Sequence, residues 1–236
     1  MSGFSPAFER LGAALAAVVL QQQETLAEFL PREDWSADLT ARTYSSGGVT
    51  VRVSLLGSYA ARERTWLWGW ANPQFGDAHP AVTPTLVIRT VGERLGITEF
   101  TTPEVDLSWY EGPAGHGGEL MAMAAGGVLG GAGYIGAGYD GGSAYLHVDD
   151  PQAPPAQWDP IPLPRILASA TSLFPHEPRL TLAGFLSRHR VPYRQTDLQT
   201  EALLPGGATA RARFDGLGRF VDWHSELMAA HSSFGP

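Results

Sequence analysis

The chain has 236 residues, a net charge of −8 and 44% hydrophobic residues, enough for one large domain or a domain with a smaller companion. The negative balance argues against a nucleic-acid or anionic-membrane partner, which requires a concentrated positive surface, and all 16 basic residues are arginine, as in a GC-rich bacterial coding bias. The absence of cysteine rules out disulfides, thiolate catalysis and cysteine-ligated metals.

From the N-terminus, Ser5 is a good N-cap and Pro6 suits the first helical position, so a helix is expected from Pro6 to Leu30. Phe8, Leu11, Leu15, Val18, Val19, Leu26 and Phe29 fall at helical spacing, while Glu9, Gln21, Glu24 and Glu28 lie mostly on the other side. The run Leu11–Leu20 has the length of a signal-peptide core. With Glu9 before it and no small-x-small site after it, it reads instead as a helix of a cytoplasmic protein. It is also too short to span a bilayer.

Strands are expected next. Ala37–Tyr44 is followed by the turn Ser45–Gly48 and by a strand with Val49, Val51, Val53 and Leu55 on one face. A charged turn leads into "TWLWGWAN", Thr65 to Asn72, the third strand of an antiparallel meander. Thr83–Gly96 reads as a helix, as does Gly118–Leu129, and two strands flank the turn Asp140–Gly142. The segment Pro151–Pro164 has six prolines in fourteen residues and reads as an extended connector. Beyond it, helices are expected near Arg165–Phe174 and Leu180–Arg190. Strands follow at Pro192–Leu204, Ala208–Phe214 and Arg219–Trp223, then a short terminal helix.

The stretch "LLGSYAARERTWLWGWAN" resembles a bacterial family known as a domain of unknown function, in Leu56, Gly57, Ser58 and the W-x-W-x-W-A-N strand Trp66–Asn72. The resemblance covers roughly residues 1–149 and implies no activity.

Trp66, Trp68 and Trp70 at alternate positions would line about 14 Å of one strand face. Such a ladder can stack sugars or bases, or it can be core. Burying three indoles removes roughly 450–750 Å² from water, about 11–19 kcal/mol gross. The opposite face, Thr65, Leu67, Gly69 and Ala71, carries no charge, as expected of a central strand covered on both sides. A core strand is therefore preferred to a pocket wall or an open platform. Gly131–Gly136 matches G-x-G-x-x-G, but the dinucleotide fingerprint needs a strand before and a helix after, and here the order is reversed. His147 with Asp149, and Asp222 with His224 and Glu226, could share strand faces as ligands or as a base with its carboxylate; solvated strand ends are the simpler reading. Asn72, the only asparagine, suits backbone capping before Pro73 or the mouth of an aromatic pocket.

These observations give an α+β expectation: an antiparallel sheet meander covered by a long N-terminal helix, with a smaller C-terminal α+β unit docked on it. The boundaries are 1–150, 151–164 for the connector, and 165–236. No catalytic set, cofactor site or metal site emerges. The expected function is non-catalytic binding of a protein or small molecule. The alternative is an enzyme or small-ligand protein whose pocket, between helix and sheet, is built from Trp66, Trp68, Trp70, Asn72, His147 and Asp149.

Overall fold

The computed structural model describes residues 3–76, 78–113 and 115–226, and its elements are arranged around the first helix, α1 (Pro6–Phe29). Ser5 Oγ accepts the Phe8 N–H at 3.2 Å, and Pro6 fills the first turn, where a missing donor costs nothing. The Ser5 hydroxyl also donates to Glu99 at 2.7 Å, which fixes the entry of α1 against the short helix α3 (Thr98–Thr101).

Three further helices pack on α1: α4 (His116–Leu129), α5 (Leu163–Leu173) and α6 (Pro178–Arg188). Because it is covered on more than one side, α1 buries more than the stripe of large residues. Gly12, Ala13, Ala16 and Ala17 are buried, and small side chains there let neighbouring backbones approach. A Cβ at Gly184 of α6 would stand 1.8 Å from the Ala14 carbonyl oxygen. Gln21, expected on the solvent side, is 6% exposed, and Gln22 is 7% exposed.

The larger sheet has seven strands: β1 (Trp35–Asp38), β2 (Thr43–Ser46), β3 (Val49–Ala60), β4 (Thr65–Trp68), β5 (Glu104–Asp106), β6 (Tyr134–Tyr139) and β7 (Gly142–Val148). All pair antiparallel. The central strand is β3, not β4 as the sequence suggests. β2 and then β4 occupy one edge of β3, and β7, carrying β6, lies along the other. The β3–β7 register slips at Leu56, a bulge that redirects the side chains. Val51, Val53 and Leu55 join one apolar cluster with Leu146 and Val148. Leu56 and Tyr59 join the other, with the indoles.

A second sheet, in the order β11-β10-β9-β8, comprises β8 (Tyr193–Gln195), β9 (Gln199–Leu203), β10 (Thr209–Phe214) and β11 (Phe220–Glu226). The fold is thus α+β. One continuous apolar cluster runs from Trp66 and Trp68 through Phe8 and Phe174 to Phe185 and Phe214.

Several expected elements are corrected. Ala37–Tyr44 is not one strand: the Asp38 carboxylate accepts the Thr40 and Ala41 N–H groups at 2.8 and 3.0 Å, closing a turn between β1 and β2. Pro192–Leu204 is likewise divided, because Thr196 caps a turn by accepting the Gln199 N–H at 3.2 Å. β4 ends at Trp68, and Gly69–Ala71 form a 3₁₀ turn, so Trp70 is off the strand. A Cβ at Gly69 would lie 2.2 Å from the Leu55 carbonyl oxygen, so the chain turns where only glycine fits. The helix expected at Thr83–Gly96 forms as α2 (Leu86–Leu95) after a 3₁₀ turn at Thr83–Thr85, whereas α3 and β5 carry no periodic signal. The terminal helix expected after Trp223 lies outside the described residues, since β11 runs on to Glu226.

The α1–α6 contact gives the first prediction. Gly184→Ala forces a methyl into the Ala14 carbonyl and should destabilise the protein by about 1–3 kcal/mol in urea unfolding. A change within about 0.5 kcal/mol would contradict the close approach.

Candidate functional site

The three indoles are structural in placement. Trp66 and Trp68 are 0% exposed, and their rings meet edge-on at 5.2 Å. Trp66 packs on Tyr145 at 5.2 Å, Trp68 on Phe100 at 5.6 Å. Trp68 Nε1 donates to the Glu99 carbonyl at 2.7 Å. Trp70 carries the Arg89 guanidinium 5.2 Å from its ring centroid. The indole N–H groups of Trp66 and Trp70 have no acceptor among the described residues.

The polar candidates lie elsewhere. Asn72 Oδ1 accepts the Gln74 N–H at 3.0 Å, so it caps the turn around Pro73. It also lines a hollow of about 410 Å³ with Leu55, Leu67 and Phe75, on the sheet face opposite the indoles. His147 is 4% exposed, with Nε2 2.8 Å from the Gly130 carbonyl and Nδ1 unpartnered among the described residues. Burial lowers its pKa, with Arg42 adding to the effect and the Gly130 carbonyl and Asp149 opposing it. Asp149 pairs with Arg42 at 2.5 Å and Arg52 at 2.7 Å, and Arg42 donates to Ser54 at 2.7 Å. This network ties β2, β3 and the end of β7 together.

Thus His147 and Asp149 are neighbours, but the structure does not join them to the indoles or to Asn72. No metal-holding group of three acidic or histidine residues occurs among the described residues. Asp222 pairs with Arg213, and His224 Nε2 lies 3.6 Å from it on the exposed face of β10–β11, while Glu226 ends β11. The glycines of "GAGYIG" run into β6 and then β7, so no helix follows them.

A cleft of about 540 Å³ opens instead between the end of α1, the β1–β2 hairpin and β6. Leu26, Leu30, Trp35, Tyr44, Ile135 and Gly136 form its walls. Trp35 stacks on Tyr44 at 5.7 Å and 17°, and it remains 46% exposed. Gln23 reaches from α1 to the rim, where its amide donates to the Tyr134 carbonyl at 2.9 Å and accepts the Tyr134 N–H at 2.8 Å. Behind β6, the Tyr134 hydroxyl donates to Glu119 at 3.0 Å, in the first turn of α4, where the helix dipole favours a carboxylate. Burial first, and the Glu119 charge second, push the phenols of Tyr134 and Tyr145 well above their usual range.

Sequence reasoning did not single out Gln23, Trp35, Tyr44 or Glu119, and it met Gly136 only in the rejected dinucleotide pattern. The available signals were an aromatic before a turn, a glutamine run on a buried helix, and a strand with glycine at alternate positions.

The sequence pattern of a family of unknown function, DUF6882, matches residues 9–151. The chain belongs to this family. The match spans α1 through β7, ends at the proline-rich connector, and includes both the indole strand and every residue of the cleft. No curated protein and no solved structure matches the chain.

The burial of His147 sets a pH dependence. Its folded pKa lies below the ordinary value of 6.5, so the unfolded chain binds more protons as pH falls through that value. Its contribution is present above the unfolded pKa and is lost as pH drops toward the folded one. Urea unfolding between about pH 7 and pH 5 should show stability falling, and His147→Gln should flatten the slope. An unchanged slope in the variant would contradict a buried neutral imidazole.

Proposed function

We propose that the protein is a non-catalytic binding protein whose ligand occupies the cleft between the end of α1, the β1–β2 hairpin and β6. The observation that carries this reading is the half-exposed Trp35 stacked on Tyr44 beside a cavity of about 540 Å³. Binding sites combine apolar and aromatic walls with a few placed polar groups, and Gln23, Arg32, Glu33 and the Tyr134–Gly136 segment supply those groups here. The ligand is a small molecule or a protein segment with an apolar or aromatic group for this surface.

The alternative, an enzyme or small-ligand protein with a tryptophan-lined pocket, has the unpartnered N–H groups of Trp66 and Trp70 in its favour. Against it, the indoles pack edge-on into core aromatics and line none of the cavities described above. No cofactor or metal enters the preferred reading. A nucleic-acid or membrane-surface partner is disfavoured by the net charge of −8. A bacterial cytoplasmic setting accompanies the proposal; the arginine-only basic residues support its bacterial part, and the position of Leu11–Leu20 within the packed helix α1 supports its cytoplasmic part. Among the described residues no helix is long and apolar enough to cross a membrane.

A thermal-shift screen of metabolites and short peptides tests this. A compound that raises the midpoint should bind Trp35→Ala about tenfold more weakly, a loss of about 1.4 kcal/mol, and should be recovered unchanged after incubation. Undiminished affinity in Trp35→Ala, or chemical turnover of the compound, would contradict the proposal.

A further inference from the structure

We infer that the free edge of β6 is a docking strand for an extended peptide that places a cationic side chain opposite Gly136. The inference rests on the cleft being a binding site, and it names the partner.

The backbone of β6 has a fixed parity. Gln23 bonds both the N–H and the C=O of Tyr134 from the side away from β7. Successive residues of a strand direct these groups to opposite edges, so Gly136 and Gly138 point theirs the same way as Tyr134. Neither has a partner there among the described residues, and both are exposed. The Gln23 amide therefore acts as the first rung of an absent strand, and two further rungs stand open beyond it. A buried backbone group needs such a partner, whereas an exposed one invites it.

Proteins usually protect sheet edges with charge or proline. The other edges here follow that rule: β1 carries Asp38, β5 carries Glu104 and Asp106, β8 carries Arg194, and β11 carries Asp222 and His224. β6 reads Tyr-Ile-Gly-Ala-Gly-Tyr, with no charge and no proline. Among the described edge strands it alone lacks such protection. It also forms a wall of the cleft through Tyr134, Ile135 and Gly136, so an added strand would run from the open rungs beside the cavity. Main-chain pairing combined with an adjacent side-chain pocket is a recurring mode of peptide recognition.

Glu119 sets the chemistry of the partner. The position of a Cβ on Gly136 lies 3.6 Å from both Glu119 Oε1 and the Tyr145 ring, so the absent side chain leaves a side of the half-buried carboxylate, whose other oxygen accepts from Tyr134, open toward the edge. Glu119 has no cationic partner among the described residues. A residue opposite Gly136 in an added strand projects to the same face, roughly 5 Å away, where arginine or lysine reaches the carboxylate. Its neighbours along the strand project to the other face, that of Ile135. A second copy fits poorly, because antiparallel β6–β6 pairing would bring two Glu119 carboxylates to one face. Each copy also carries a net charge of −8.

The test uses the full chain and a blocked, labelled heptapeptide, Thr-Val-Thr-Arg-Thr-Val-Thr, with a glutamate-centred control, followed by fluorescence anisotropy. The arginine peptide should bind, and the glutamate peptide should bind about tenfold more weakly or not at all. Glu119→Gln, which keeps an acceptor for Tyr134, should erase that preference. Gly138→Pro removes one outward donor and should weaken binding without disturbing the β7 ladder. Should that variant not fold, N-methylation of the peptide at alternate residues removes the same rungs from the other side. Hydrogen exchange at the Gly136 and Gly138 amides should slow when the peptide binds.

Absence of peptide binding, binding insensitive to both Glu119→Gln and the backbone changes, or a concentration-dependent dimer that protects the same amides would each overturn the inference. A ligand that depends on Trp35 but not on Glu119 or Gly138 would leave the cleft reading intact and remove only the peptide. Ligand binding insensitive to all three would remove both.

Discussion

Three consecutive glutamine side chains on α1 hold the parts of this molecule in register. Gln21 donates to the Gln157 carbonyl at 2.8 Å and meets His189 Nε2 at 2.8 Å, so it joins α1 to the connector and to the end of α6. Gln22, buried, accepts the Ala156 N–H at 2.7 Å and donates to the carbonyls of Pro154 and Ala132 at 3.0 and 3.2 Å. Gln23 bonds both backbone groups of Tyr134. A proline-rich connector and the first residue of an edge strand have few backbone partners of their own. The amides supply them at buried and half-buried positions, where a group left without its partner is costly.

This arrangement positions the candidate site. The same helix that carries the small-residue face toward α6 carries Gln23 and Leu26 to the rim of the cleft. The indoles fix the other end: the Trp68 bond to Glu99, and the Ser5 bond to the Glu99 carboxylate, lock α1 against β4. The helix is therefore held at both ends, and the cleft between its C-terminal end and β6 is bounded by held elements. A bounded cleft is the condition for binding without a large ordering cost.

What was legible in the sequence was local. Ser5 and Pro6 mark the start of α1, Gly47 and Gly48 turn β2 into β3, and the Asp140–Gly142 turn joins β6 to β7, because caps and turns act through adjacent residues. The inward direction of Trp66 and Trp68 was also readable, since strand alternation and the uncharged opposite face agree. What was not legible depended on distant partners. Gln21 reads as a solvent residue until the connector and the end of α6 cover it, and Trp70 leaves the strand because the chain turns at Gly69, where a Cβ would meet the Leu55 carbonyl oxygen. Of the candidate site residues, His147 and Asp149 lie near each other, but Asp149 is held by Arg42 and Arg52 while His147 Nε2 faces the Gly130 carbonyl. The cleft residues Gln23, Trp35, Tyr44 and Gly136 are dispersed along the chain, and only the closure of the sheet edge against α1 gathers them.

The central claim is that buried glutamine amides, more than apolar contact alone, join α1 to the connector. Gln22→Met keeps the length and removes the amide, leaving the Ala156 N–H and the Pro154 and Ala132 carbonyls without their partner. Urea unfolding combined with amide hydrogen exchange on the full chain measures the consequence. The account predicts a loss of about 2 kcal/mol or more, with the Ala156 amide losing its protection. A variant within about 0.5 kcal/mol of the parent, with Ala156 still protected, would contradict it.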